Sequence, residues 1–425
     1  MGAQINAQTL GLQLEKVRDK VPLLYQQDHT LFDKIMKREV EKVSSRNMKV
    51  PLQLLAGGKA RQVNPDGGGL GRGSGTTYDI AQVTPVYLAF ASEITYLTEI
   101  ATDAKEKAVE NAAKKELENA MTGFRVFIEA LLNTDGSGTL GTVTAITGSV
   151  VTVTNANNFY DNQDIQAFST LGGTRRVGPN IAPSTTGTYT ILSVDAVNFQ
   201  LTMTTAPTNM VVGDLLIIDG APGTAASSLF GLEYHNVDPG ATGTWMQLAR
   251  SAYPGKLQTP HVAAGNSSIS VAWFRLALQK MRRKLGIKAK DVDQIVWHMG
   301  LDQEAAWETV ATQVSSIFFN EVKGDAAQDF MKKHAPMTAA QREIVPSIHA
   351  VNGRIDGLAI NHWFRAENKA LDYYEVGGQT VFPTYDTVGG IAMSNIFYLF
   401  TGMQVCVDGP TFGCYIDGLT VPTGL

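Results

Sequence analysis

Met48-Lys49-Val50-Pro51-Leu52-Gln53-Leu54-Leu55, then Gly57-Gly58-Lys59, then Asp66-Gly67-Gly68-Gly69-Leu70-Gly71-Arg72-Gly73-Ser74-Gly75: this ribbon, together with the segment running on to Glu99, decides the fold. From Tyr78 the pattern turns β-like, with Ile80, Val83, Val86, Leu88 and Phe90 leading to Ser92-Glu93-Ile94-Thr95. A ribbon so poor in apolar side chains is not expected to bury itself against its own domain. Long loops of this kind either stay disordered or are built to lie on something else. What this one lies on is the functional question.

Behind it comes the strongest helical pattern in the chain, over residues 99–132. Leu117, Ala120, Met121, Phe124, Phe127, Ile128, Leu131 and Leu132 form a stripe at helical spacing. Asp103 with Lys107, Glu110 with Lys114 and Lys114 with Glu118 are opposite charges four apart on the other side. Asn133-Thr134-Asp135-Gly136-Ser137-Gly138 is a strong stop. At 1.5 Å per residue the helix would run about 50 Å, long for a globular domain.

Residues 139–221 change character abruptly: charge nearly vanishes, and Thr, Val, Gly and Asn dominate. A weak repeat is visible at a spacing of about fifty residues. Gly148–Asn155 runs on to Asp164–Phe168, and Asn198–Thr205 runs on to Asp214–Ile218. Short alternating strands between turn residues predict a small antiparallel barrel or sandwich, flanked by Gly/Ser/Ala-rich linkers and inserted into its surroundings.

Residues 1–47 read as an arm with short helical pieces, since Pro22 interrupts loosely spaced leucines and Phe32, Ile35, Met36 and Val40 give a brief helical spacing. Residues 222–425 read as α+β. A helix is predicted over Ile269–Leu285, with Val271, Phe274, Leu278, Met281 and Leu285 inward. A strand over Gln294–His298 and a helix over Asp302–Phe319 come next. Beyond Pro346, strands are expected at Ile348–Val351, Gly357–Ile360, Ala370–Tyr374, Asn395–Leu399, Gln404–Val407 and Gly413–Ile416.

A length of 425 residues allows two or three domains with a full core. The net charge of −5 argues against a surface that binds nucleic acid or anionic membrane as a whole. The N-terminus lacks the pattern of a signal peptide, and the apolar runs are too short to cross a bilayer, so a soluble protein made inside the cell is expected. Cys406 and Cys414, the only two cysteines, imply neither a disulfide framework nor a zinc site and fit a reducing compartment.

The chemistry-bearing motifs fail on detail. Gly67–Gly75 lacks the Lys-Ser/Thr and subsequent helix of a phosphate loop, and no apolar strand feeds it as dinucleotide binding requires. Asp135–Thr139 resembles the start of a calcium loop, but no Glu closes it. The seven histidines never fall at metal-ligand spacing, and no nucleophile elbow appears. No catalytic residue, metal or cofactor is nominated, and the chain does not read as an enzyme. The densest positive cluster is Arg275, Lys280, Arg282, Arg283 and Lys284, with Lys288 and Lys290 beyond. It is a solvated face, a source of intersubunit salt bridges or a sequence-independent phosphate contact.

The order of these pieces (arm, Gly-rich hairpin, β-segment, long charged helix, β-insert, α+β region rich in strands) resembles the major capsid protein of tailed bacteriophages, the Hong Kong 97-like or Johnson fold. Phe90-Ala91-Ser92-Glu93-Ile94-Thr95 and Phe412-Gly413-Cys414-Tyr415-Ile416-Asp417-Gly418-Leu419 share its look. The resemblance covers about 340 residues and excludes the insert. It implies an N-terminal arm over 1–47 and an extended E-loop over 48–80, with Lys59, Arg61 and Arg72 as positive contacts near its tip. It further implies a peripheral domain over 81–138 with the spine helix at about 99–132. The inserted β-domain is then 139–221, and 222–425 holds the axial domain and strands returning to the peripheral sheet, shared with Val83–Thr95.

The resemblance also implies function: self-assembly into hexamers and pentamers of an icosahedral head around double-stranded DNA, assembled in the host bacterial cytoplasm and residing in the virion. A portal, a separate scaffolding protein and a decoration protein are the implied partners, since only about 47 residues precede the E-loop. No membrane is involved. Some members crosslink a loop Lys to an Asn; no acceptor for Lys59 is legible, and crosslinking is not expected. The rival reading is a phage-tail or surface β-protein that binds glycans through 139–221.

Overall fold

The computed structural model describes residues 29–38, 41–42, 48–60, 62, 72–95, 112–179, 187–238, 240, 242–253, 255–288, 290–321, 338–385 and 391–421. Its strands gather into two principal sheets, a closed barrel and a three-stranded hairpin sheet, with a two-stranded ribbon, β12 (Thr244–Trp245) and β13 (Leu248–Ala249), beside them.

The first principal sheet is built on one long strand, β21 (Ile391–Val407). β5 (Val86–Thr95) runs antiparallel along one side of it, from Met403 to Ser394. β19 (Trp363–Tyr373) and β20 (Val381–Tyr385) succeed each other along the other side. β1 (Met36–Arg38) adds in parallel to the start of β19, at Phe364–Ala366. Thus the strand before the long helix pairs with a C-terminal strand, as its alternating pattern allowed. Helix α2 (Ala112–Leu132) covers one face, burying Phe124, Phe127, Ile128, Leu131 and Leu132, with Phe90 stacked on Phe124 at 5.8 Å. It stops at Leu132 as predicted; the predicted first turns, from Glu99, lie outside the described residues.

Among the described residues of the arm, only Thr30–Lys34 is helical (α1), which corrects the expectation that Met36 continues the helix. Pairing with β19 offers the backbone from Met36 onward a sheet ladder in place of another helical turn. Val40 lies outside the described residues. The arm is fixed to α2 by the fully buried carboxylate of Glu129, which accepts the N–H groups of Leu31 at 3.1 Å and Phe32 at 2.7 Å. The Arg365 guanidinium lies over the Phe32 ring at 4.2 Å.

The second principal sheet runs β14 (His261–Ser267), β22 (Gly413–Leu419), β18 (Ile355–Ala359), β15 (Ile295–Met299), β17 (Arg342–Pro346), β16 (Thr338–Ala339). After the short helix α3 (Leu232–His235), helix α4 (Val271–Leu285) packs on β14 and β22, and Gly286, at φ 101°, ends it where a side chain would be strained. Helix α5 spans Leu301–Glu321. Phe274 meets Trp297 and Trp307 edge-on at 4.9 and 5.1 Å, centring a core separate from that of the first sheet. Several expected strands are corrected here. Ile348–Val351 is a turn after β17, and the two strands expected at Asn395–Leu399 and Gln404–Val407 are parts of β21. β14, β17 and β20 are additions to the expected set.

Residues 139–218 close into a six-stranded antiparallel barrel: β6 (Thr139–Thr147), β7 (Val150–Val153), β8 (Asp164–Phe168), β9 (Tyr189–Asp195), β10 (Gln200–Met203) and β11 (Leu215–Ile218). The repeat spacing now has a geometric meaning. β7 pairs with its counterpart β10, and β8 with its counterpart β11, so the two halves embrace as equivalents. Val143, Val151, Ile165, Ile191, Leu201 and Leu216 are buried within it. Asn157 donates to the Ile348 carbonyl at 3.3 Å, and Asn158 meets His349 Nδ1 at 3.1 Å. Tyr160 wedges against Phe90 and Phe127. These contacts join the barrel's apolar interior to the core under α2.

Candidate intersubunit surfaces

The opening ribbon is the arm of a hairpin. β3 (Met48–Leu55) pairs antiparallel with β4 (Thr77–Val83), and β2 (Glu41–Lys42) flanks β3. Its base corrects the expectation that the ribbon cannot bury itself: Met48, Val50, Leu52, Ala81 and Val83 all enter the first core. The period-2 alternation of Met48, Val50 and Leu52 is what permits this. Asp79 accepts from the Tyr253 hydroxyl at 2.7 Å, and Gln82 N–H donates to the Met246 carbonyl.

The inward alternation fades at Leu54, half-buried against the same core, and the opposite face is open. Leu55, Tyr78 (69 % exposed) and Ile80 are open to solvent, and 56–60 and 72–76 are exposed throughout. The ladder still continues, with Gly58 N–H donating to Ser74 O at 2.7 Å and Ser74 Oγ to Gly58 O. A Cβ at Gly57 would lie 2.7–2.8 Å from the opposing backbone at 74–76, so this close approach requires glycine. Lys59 and Arg72 sit on this exposed end; Arg61 lies outside the described residues.

The basic helix face is partly used up within the subunit. Lys280 Nζ donates to the His261 carbonyl at 2.6 Å and Lys284 Nζ to the Gln258 carbonyl at 2.7 Å; burial lowers the Lys284 pKa. Arg282 reaches Asp293 at 3.5 Å, a carboxylate that Arg342 holds at 2.7 Å. Arg275 and Arg283 are exposed and make no ion pair among the described residues. The five cations therefore do not act as one patch.

A surface that the sequence reading missed lies on the first sheet, opposite α2. Alternation puts Leu88, Phe90, Phe397 and Leu399 inward, and Tyr87, Ala89, Ala91, Tyr398 and Phe400 outward. Tyr87 stacks on Phe400 at 5.7 Å, Phe400 meets Tyr374 at 5.9 Å, Tyr374 meets Phe382 at 6.3 Å, and Phe382 meets Tyr398 at 6.2 Å. Gly402 lets Tyr87 lie flat, since a Cβ there would come 2.6 Å from its ring, and Asn368 donates to the Tyr87 hydroxyl. No described element covers this aromatic strip. Exposed Glu93, Asp372 and Glu375 border it, with Lys369 the cation. An outward face as aromatic as the inward one was the available signal, and antiparallel sheets facing water on one side are usually polar there.

The titratable groups offer no assembled chemistry. Burial drives His235 down to about 3, leaving it neutral, with the Trp245 indole donating to its Nδ1. Burial pushes the Cys414 thiol up, and both cysteines are free and buried. Asp135 accepts from Ser137 N–H in the turn that ends α2. No cluster of three metal-ligating side chains occurs among the described residues. Nor is any helix among them long and apolar enough to cross a membrane.

Neither a protein-family profile nor a curated protein sequence matches the chain. By structure, it is similar to a chain of the cyanophage A-1(L) capsid asymmetric unit, with a TM-score of 0.54 and 11 % identity over 96 % of this chain and 98 % of that one. The capsid of the native GTA particle gives 0.49 at 9 % identity, over 96 % and 95 %. The capsid of Myoviridae phage XM1 gives 0.47 at 11 %, over 99 % and 100 %. The cyanophage match shows a shared fold across nearly the whole chain.

Proposed function

We propose that this chain is the major capsid subunit of a tailed phage, assembling through its hairpin and sheet surfaces into hexamers and pentamers of a closed head around double-stranded DNA. The observation that carries the reading is the exposed hairpin: a laddered, Gly-rich arm that leaves its own core after Leu54 and presents Lys59 and Arg72. The fold shared with a chain of the cyanophage capsid supports it. In this reading, residues 48–80 are the E-loop, and α2 with the first sheet is the peripheral domain. The second sheet with α4 and α5 is the axial domain, and the barrel is an insert. A basic, glycine-rich arm is complementary to the aromatic, acid-bordered strip, where cations can lie over tyrosine rings. A neighbour's hairpin laid on that strip would join successive subunits. Summing many such modest contacts closes a shell that no single interface could hold. Scaffold, portal and decoration protein are the further partners of this proposal.

Electron microscopy of the expressed chain, with its scaffold if one is required, should show closed particles. Deleting residues 57–75 should abolish them while circular dichroism shows a folded subunit. Normal shell yield from the deletion variant would overturn the hairpin's role, and a stable monomer from the intact chain would overturn the shell.

A further inference from the structure

The two principal sheets are joined by two chain crossings that lie side by side. One runs from β18 through the 3₁₀ turn Ile360–His362 into β19; the other leaves β21 and passes through Pro410–Phe412 into β22. His362 sits at this junction and touches both. Its Nδ1 is 2.9 Å from an Asp408 carboxylate oxygen on the second crossing. Its Nε2 is 2.7 Å from Asp291, on the 3₁₀ helix Lys290–Gln294 that leads into β15 of the second sheet. The ring lies flat on Phe412 at 3.8 Å, and Phe412 packs against both apolar cores. The Asp408 N–H donates to the His362 carbonyl, closing the crossing pair from the backbone side.

A neutral imidazole has one N–H and one lone pair. With a carboxylate on each nitrogen, it can satisfy only one of them and sets its lone pair against the other. Only the imidazolium donates to both. We propose that His362 is a proton-operated clasp across the hinge between the two sheets, closed while both ring nitrogens are protonated and loosened when one proton leaves.

The surroundings are consistent with it. From the 3₁₀ helix, Lys290, Asp291 and Asp293 are the charged groups, and Asp293 is already engaged by Arg342 and Arg282 from α4. The 410–412 turn carries no charge, and β19 contributes Arg365 and Glu367, which face each other at 3.7 Å. The hydrogen bond His362 donates to Asp408, then that to Asp291, raise the His362 pKa above its ordinary 6.5 against the opposing effect of burial. A group whose pKa is raised on folding lends stability that is complete below about 6.5 and is lost as pH rises through the folded value. The clasp is therefore closed in acid solution and opens as the pH rises through the raised folded-state value. This inference concerns the subunit alone and does not rest on the shell reading.

The test is hydrogen exchange on the full chain, with intrinsic rates divided out, at about pH 6 and about pH 9, to either side of the histidine range. Protection at 359–363 and 407–413 should fall severalfold in the wild type between the two pH values. In His362→Gln it should be pH-independent. An equal fall in His362→Gln, or none in the wild type, overturns the clasp. Should His362→Gln not fold, Asp291→Asn serves instead: it keeps the Asp408 contact and should move the loss of protection to lower pH, and an unchanged midpoint overturns the proposal.

Discussion

The hairpin arm and the barrel are both β-structures rich in glycine, and the stretch holding each is poor in apolar content compared with the helices, yet one stands open and the other closes on itself. In the barrel, all six strands turn apolar residues inward, and Val151, Ile165, Ile191, Leu201 and Leu216 are fully buried. In the hairpin the alternation runs from Met48 to Leu52, fades at half-buried Leu54 and gives way to the exposed residues 56–60. Composition does not separate the two. Persistence of the alternation does, because each strand must remove its own apolar face from water to offset the entropy of ordering it.

The largest break in that comparison comes from cutting into each. Leu201→Ala or Ile165→Ala removes a fully buried side chain from the barrel and should cost about 2–5 kcal/mol in denaturant unfolding. Leu55→Ser or Tyr78→Ser, at the exposed end of the hairpin, should change stability by less than about 0.5 kcal/mol. Comparable losses from both pairs would show that the hairpin folds onto the subunit.

A smaller effect sharpens where the arm ends and the body begins. Glu129→Gln keeps the size of the group that receives the Leu31 and Phe32 N–H groups and removes its charge. Gln offers one oxygen where the carboxylate offers two, so one buried N–H is left without its acceptor and a loss of about 1–3 kcal/mol is expected. Proteolysis N-terminal to Thr30 should accelerate with it. Unchanged cleavage would mean that β1 alone holds the arm.

Much of this is readable from the sequence, and the failures share a cause. The stop of α2 at Asn133, the inward face of α4 and the strand pattern of 139–218 come from local periodicity and punctuation, which need no partner. What escapes depends on a neighbour. β14 (His261–Ser267) turns only Val262 and Ala264 inward, too short an alternation to read alone, and becomes a strand through parallel pairing with β22. The pattern divides β21 at Thr401-Gly402-Met403, where the glycine exists to receive the Tyr87 ring. The helical spacing at Phe32–Val40 is overridden by pairing with β19. At the candidate surfaces, Lys59 and Arg72 are legible as exposed cations, whereas the loss of Lys280 and Lys284 to carbonyls of the preceding loop and strand is not. The aromatic strip is written as alternation in β5 and β21. It escapes notice because aromatic residues in strands are usually buried.

The strip gives the comparison its finest test, since it should behave like the hairpin's exposed end and unlike the barrel. Tyr87→Ser removes a ring that is half exposed and rests on Gly402 and Phe400. Subunit stability should fall by no more than about 1 kcal/mol, the scale of an aromatic pair. Assembly, followed by light scattering, should slow severalfold, and combining Tyr87→Ser with Lys59→Ser and Arg72→Ser should slow it no further than the stronger partner alone. Non-additivity is the signature of groups that meet across one interface. Strictly additive losses would place the hairpin's cations and the aromatic strip in separate contacts, leaving the strip to another occupant.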